Sequence, residues 1–169
     1  EALRARFGNK IAPLVVPIWD ESKKVTGIID VLNKRAYEMQ DMKRVEIDIP
    51  EGKDAVIEEF NNALKESVAE TSEEFMDKFF GGEDFTYAEM IQGLRQGVRE
   101  LSLFPVLCGS AVNCMGSLML LDNIVDLLPN PMEGNYHKAT RQDGETEPFV
   151  VSPGGVPTAF VFKTVSDQY

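Results

Sequence analysis

Basic residues, cysteine and histidine are all scarce in this chain. Lys and Arg number 17 against 28 Asp and Glu, a net charge of −11 at pH 7. Binding along a phosphate backbone needs Lys and Arg, so direct nucleic-acid binding is not expected. The two cysteines, Cys108 and Cys114, fit neither a zinc site nor a redox Cys-x-x-Cys, and read as reduced thiols. The single histidine, His137, sits in a polar stretch. A Ser-His-Asp or Cys-His arrangement would have to use it, and nothing beside it supports that, so it reads as solvated and non-catalytic. No apolar run approaches the ~20 residues of a membrane span. No secretory leader is visible, and the expectation is a cytoplasmic setting with no membrane partner. No Gly-x-x-x-x-Gly-Lys-Ser/Thr is present to cradle phosphates. Gly154-Gly155 is no substitute, because Pro157 and an expected strand follow rather than a helix N-terminus. The chain begins at Glu1 rather than Met, as an internal piece of a longer protein would.

What is present is ordinary globular material. The 169 residues are 43% hydrophobic and 27% charged, enough for a real core and one or two domains. Residues 1–7 read as the end of a helix capped at Gly8, with Arg4 and Arg6 at its negative end. Leu14–Trp19 reads as a strand with an edge or bulge at Pro17. Gly27–Leu32 and Arg35–Met39 read as two more. Arg44–Ile49 alternates with period 2, which predicts a half-buried strand. Four short strands with tight links predict a small antiparallel sheet.

From Lys53 to Phe80 the pattern predicts one long helix of ~42 Å. Ile57, Phe60, Leu64, Val68, Thr71, Phe75 and Phe79 form its apolar stripe, and Gly81-Gly82 stops it. Opposite the stripe, Glu59, Glu66, Glu70, Glu73 and Asp77 line one side. Between Glu46 and Asp77, eleven acidic residues stand against Lys53 and Lys65, leaving −9. Such a run is commonly only a solvated face. Like charges at i,i+3 or i,i+4 are unfavourable, however, and a face built for solubility would mix in Lys. A docking face for a basic protein partner is therefore the competing reading. Thr86-Tyr-Ala-Glu89 is a capping box opening a second helix, with Met90, Ile91, Leu94, Val98 and Leu101 on its apolar face. Gly93 and Gly97, one turn apart, suggest a close approach by another backbone.

Residues 104–131 carry the most information. Phe104-Pro-Val-Leu-Cys108 reads as a buried strand ending in Gly109-Ser110-Ala111. A Gly116-started helix over 117–128 then stops at Leu128-Pro-Asn-Pro131. From residues alone this is a strand-to-loop turn built of small side chains. The whole order of motifs resembles translational GTPases of the elongation factor G kind. The matching stretches are Val15–Ile18, Gly27–Val31, Glu73–Lys78, Val106–Ala111, Leu128–Pro131 and Ala159–Thr164. Val112 departs from the Phe common in that family.

The resemblance implies an α/β fold: the last strand–helix unit of a P-loop GTPase domain, with an inserted α+β lobe in which a small antiparallel sheet is covered by the long acidic helix. Residues 1–12 would be the end of a GTPase-domain helix, 13–103 the inserted lobe, and 104–131 the last strand and helix. Residues 132–157 would be a linker and 158–169 the first strand of a truncated β barrel. The resemblance makes Gly109, Ser110 and Ala111 a guanine-binding loop, with the Ala111 N–H facing the guanine oxygen. GTP and Mg2+ would serve the full-length parent, a GTP-hydrolysing factor in ribosomal translocation. This chain alone would be inactive, with no catalytic residue, metal or cofactor of its own. Neither an Asp-x-x-Gly magnesium motif nor a water-positioning histidine occurs in it. The resemblance also names the ribosome, and its stalk protein in particular, as the partner for Glu59, Glu66, Glu70, Glu73 and Asp77. Two other readings fit the same residues. One is a free-standing acidic interaction module with no nucleotide role. The other is a ribosome-protection GTPase of the same parent architecture.

Overall fold

The computed structural model describes residues 2–133, 138–140, 143–149, 151–155, 159 and 161–167, with only the backbone of Asn9. Two compact units divide the chain, Glu1–Leu128 and Pro129–Tyr169.

The first unit holds two sheets that meet at one residue. Helix α1 (Ala2–Phe7) and a 3-10 turn (Gly8–Lys10) lead into β1 (Ile11–Pro13). β1 runs parallel to the distant β6 (Phe104–Val106), with Ile11 opposite Phe104. Nothing in the pattern marks β1, because three residues are too few to show a period. Next come β2 (Val15–Trp19), β3 (Val25–Asp30), β4 (Arg35–Gln40) and β5 (Lys43–Ile47). They form the expected antiparallel sheet in the order β2-β3-β4-β5. Leu14, fully buried, joins the two sheets. Its N–H donates to the Val106 carbonyl at 2.9 Å, and its own carbonyl accepts from the Val31 N–H at 3.0 Å.

Local chemistry closes each link of the antiparallel sheet. The Asp20 carboxylate accepts from the Ser22 hydroxyl at 2.6 Å and the Lys24 N–H at 2.9 Å. Those bonds, the serine's first, hold its pKa below the usual carboxylate value. Asp30 likewise gathers the Leu32 and Asn33 N–H groups. The β4–β5 turn is Asp41-Met42, with φ of 48° and 61°, the pair of positive values that a two-residue hairpin of type I′ needs.

The long helix expected over Lys53–Phe80 is two helices, α2 (Asp54–Ala69) and α3 (Glu73–Phe80). The break is chemical. The Thr71 hydroxyl bonds back to the Val68 carbonyl at 2.6 Å. Ser72 is extended, and its side chain accepts from the Phe75 N–H, starting a new helix with Glu73 and Glu74 in its first turn. The apolar stripe survives the break, since Ile57, Leu64, Val68 and Phe75 are all buried. Buried Asn61 reaches from α2 to the Val31 carbonyl at 3.0 Å, satisfying a polar group that the stripe would otherwise bury unpaired.

Helix α4 (Tyr87–Arg99) has the expected capping box, with the Thr86 and Glu89 side chains and backbones bonded reciprocally. Lys78 reaches the same carboxylate at 2.6 Å. That bond, followed by those from Thr86, holds the Glu89 pKa at about 2. Met90 and Leu94 are buried, whereas Leu101 lies beyond the helix and is exposed. Gly93 and Gly97 do permit close approach, by side chains rather than backbone. A Cβ at Gly93 would lie 2.5 Å from Val68, and one at Gly97 would lie 2.6 Å from Leu103.

Helix α5 (Ser117–Leu127) closes the first unit. Met119 and Leu127 are buried, but Leu118, Leu120, Leu121, Ile124 and Val125 are exposed. Helix α4 packs against one side of α5 and leaves the rest of so apolar a helix open.

In the second unit the expected linker contains a short hairpin, β7 (Lys138–Thr140) with β8 (Thr146–Pro148), Ala139 opposite Glu147. Gly144 takes φ 87° at its turn. Neither strand carries an apolar alternation, so the pattern held no sign of it. The strand expected over 158–165 is not formed among its described residues. Val161, Phe162 and Val165 are exposed there without regular structure, as an unpaired strand has no ladder to join. His137 lies outside the described residues.

Candidate functional site

The Gly109–Ala111 loop hangs from β6, whose Val106 is fixed to β1 and to Leu14. Beyond Leu107 and Cys108, which pack against the core, the backbone folds over itself. The Ser110 N–H donates to the Met115 carbonyl at 2.9 Å, forming an isolated antiparallel bridge. Gly109 is needed under it, since a Cβ there would sit 2.9 Å from that carbonyl. Gly116 takes φ 78°, and a Cβ there would sit 2.7 Å from the Cys108 carbonyl. Cys114, at φ 54°, makes the remaining turn.

The three candidate residues are thus held together on one short loop. Gly109 and Ala111 are exposed and Ser110 half-buried. The Ala111 carbonyl accepts from the Cys114 N–H at 3.4 Å. Among the described residues the Ala111 N–H has no hydrogen-bond partner. Its neighbour Val112 is 93% exposed. The loop therefore carries a backbone donor without a protein partner among the described residues, on an exposed residue. Cys108 and Cys114 are not joined to each other, and burial pushes the Cys108 thiol above its ordinary pKa.

The five acidic candidates stay on the surface, but not on one helix. Glu59, Glu66 and Glu70 belong to α2 and its C-cap, and Glu73 and Asp77 to α3. All are exposed, and none forms an ion pair among the described residues. No group of acidic, histidine or cysteine side chains suited to a metal ion occurs among the described residues. No helix of the described residues is long and apolar enough to cross a membrane.

Sequence reasoning missed the residues that hold the loop in place. Met115 is 7% exposed, and its side chain belongs to the main core with Ile28 and Met119. Arg44 on β5 pairs with Asp122 on α5 at 3.1 Å, across 78 residues of sequence. No local pattern announces a contact that distant.

No protein-family model matches the chain. A curated relative, the elongation factor G-like protein of Thermotoga maritima, is 34% identical over 99% of this chain. The chain spans only 24% of that relative's length. A protein of Thermus thermophilus with a crystal structure superposes at a TM-score of 0.71 and 30% identity, covering 78% of this chain and 20% of its own. Over the stretch it spans, the chain is similar to elongation factor G-like proteins, in agreement with the order of its strand, Ser-Ala loop and helix motifs.

Proposed function

We propose that this chain is the guanine-reading and partner-docking part of a GTP-hydrolysing translation elongation factor that acts in ribosomal translocation in the cytoplasm. The observation that carries the reading is the N–H of exposed Ala111, which has no partner among the described residues, on a loop held by the Ser110–Met115 bridge. Guanine has a carbonyl oxygen where adenine has an amino group. A fixed N–H donor at that position favours guanine and leaves adenine's amino group facing another donor. Ser110 shapes the turn and Gly109 leaves room beneath it.

Phosphates and Mg2+ would be held by motifs that this sequence does not contain. When bound, they would supply most of the affinity and the electrostatic stabilisation of phosphoryl transfer. The exposed apolar face of α5 fits the same reading, as a surface that further strands of a P-loop GTPase sheet would cover. In this reading residues 13–103 are the inserted lobe and 104–131 the closing strand and helix.

The acidic surface of α2 and α3 serves as a docking face for the stalk protein of the ribosome. Its uncompensated charge attracts a basic patch over long range and is screened by salt. Reversing Glu66, Glu70 and Glu73 to Lys weakens binding of a basic stalk domain in an NMR titration, most at low ionic strength. Equal binding by the folded, reversed protein means that the face is only solvated. The guanine contact is tested in a longer protein that includes the phosphate-binding motifs. Replacing Ala111 by Pro removes the N–H and lowers GDP affinity about 10- to 100-fold, with a smaller loss for ADP. An unchanged ratio of GDP to ADP affinity rules out Ala111 as the reading group.

A further inference from the structure

We infer that the four-stranded sheet is a strut for the guanine-reading loop, with Met115 and Arg44 as positioning residues through which load on the sheet reaches Ser110 and Ala111. The functional half of this inference rests on the proposed guanine site; the mechanical half does not.

The connection can be followed atom by atom. The Met115 carbonyl holds the Ser110 N–H, so the loop's shape depends on where Met115 sits. The Met115 side chain is buried in the core cluster that includes Ile28 of β3 and Met119 of α5, with Tyr37 and Met39 of β4 packed against it. Ile28, Tyr37 and Met39 on the sheet face Cys114, Met115 and Met119 across a small crevice. Over that crevice Arg44 bridges the two sides. Its guanidinium lies 5.1 Å from the centre of the Tyr37 ring and 3.1 Å from the Asp122 carboxylate. Leu14 ties the far end of the sheet to β6, which carries the loop. The loop is thus attached to the sheet from both sides, through β6 before it and through Met115 and Asp122 after it. Close-packed interiors transmit displacement because they cannot deform continuously. The opposite face of the sheet carries Ile18, Ile29 and Ala36, which pack with Ile57 of the acidic α2. A partner that docks on α2 therefore loads the same sheet that supports the loop.

Amide hydrogen exchange on the present chain tests the strut without any nucleotide. The readout is the Ser110 N–H, with the Met76 N–H of α3, bonded to the Ser72 carbonyl, as a reference outside that core cluster. Arg44→Ala should speed Ser110 exchange about two- to fivefold, the range an exposed ion pair provides. Met39→Ala should speed it about tenfold or more. Both should leave Met76 unchanged. Lys65→Ala, which breaks the Lys65–Asp84 pair away from the sheet, should leave Ser110 unchanged. Swapping the charges, Arg44→Asp with Asp122→Arg, should restore slow exchange. Should Met39→Ala fail to fold, the exposed Arg44 variants carry the test alone. Unchanged Ser110 exchange in Arg44→Ala, or equal acceleration at Met76, overturns the strut. In a longer, GDP-binding protein, Arg44→Ala should raise the GDP dissociation rate by the same factor. If exchange responds but GDP release does not, the strut stands and the guanine reading of this loop falls.

Discussion

Helices α2 and α5 are both amphipathic, yet they end in opposite states. α2 buries Ile57, Leu64 and Val68 and keeps its acidic side in water. α5 buries Met119 and Leu127 and leaves Leu121 at 57% and Val125 at 76% exposure. The difference lies in what each helix faces. α2 sits against a four-stranded sheet, with α3 and α4 beside it. α5 packs chiefly against α4, with Met119 and Leu127 in the shared core, and its other side stays open. One region is closed upon itself; the other leaves an apolar face open.

The largest expected effect sharpens this contrast. Leu64→Ala should destabilise the first unit by roughly 2–5 kcal/mol, since Leu64 is fully buried at the centre of the closed region. Asn61→Ala should cost about 1–3 kcal/mol, by leaving the buried Val31 carbonyl without its partner. On the open side, Val125→Ala should change the stability of this chain by less than about 0.5 kcal/mol, and so should Glu70→Ala on the solvated side of α2. Urea midpoints compare the four. A Val125 effect as large as that of Leu64 would mean that α5 is already covered.

Acid provides a further, smaller probe of the closed region. The Glu89 pKa is depressed to about 2, first by Lys78 and then by Thr86, from an ordinary value of 4.5. A depressed carboxylate stabilises the fold above its unfolded pKa. That contribution is lost as pH falls from about 4.5 towards 2. Glu89→Gln should therefore be less stable than the parent at pH 7, and the gap should close by about pH 2. A gap that persists at pH 2 would locate the effect in packing rather than charge.

The closed region was the more legible of the two in sequence. Period-2 alternation and tight polar links marked the sheet, and Thr86 with Glu89 marked the start of α4. The break between α2 and α3 was hidden because Thr71 keeps the 3.6-residue register of the stripe while Ser72 restarts the helix behind it. The signal was there in Ser72-Glu73-Glu74, an N-cap followed by acidic residues. β1 was too short to show a period, and its partner lies some ninety residues away. At the loop, Gly109, Ser110 and Ala111 were readable only through family resemblance. The residues that hold them, Met115, Arg44 and Leu14, act through long-range contacts that no local pattern encodes.

If this chain supplies guanine recognition without phosphate binding, the two functions should separate in a calorimetric titration with GDP. The titration is run on the chain alone and on a protein in which it is joined to the phosphate-binding part of an elongation factor G-like relative. The chain alone should show no measurable binding, and the joined protein should bind at micromolar affinity or tighter. Micromolar binding by the chain alone, or none by the folded joined protein, would refute that division of labour.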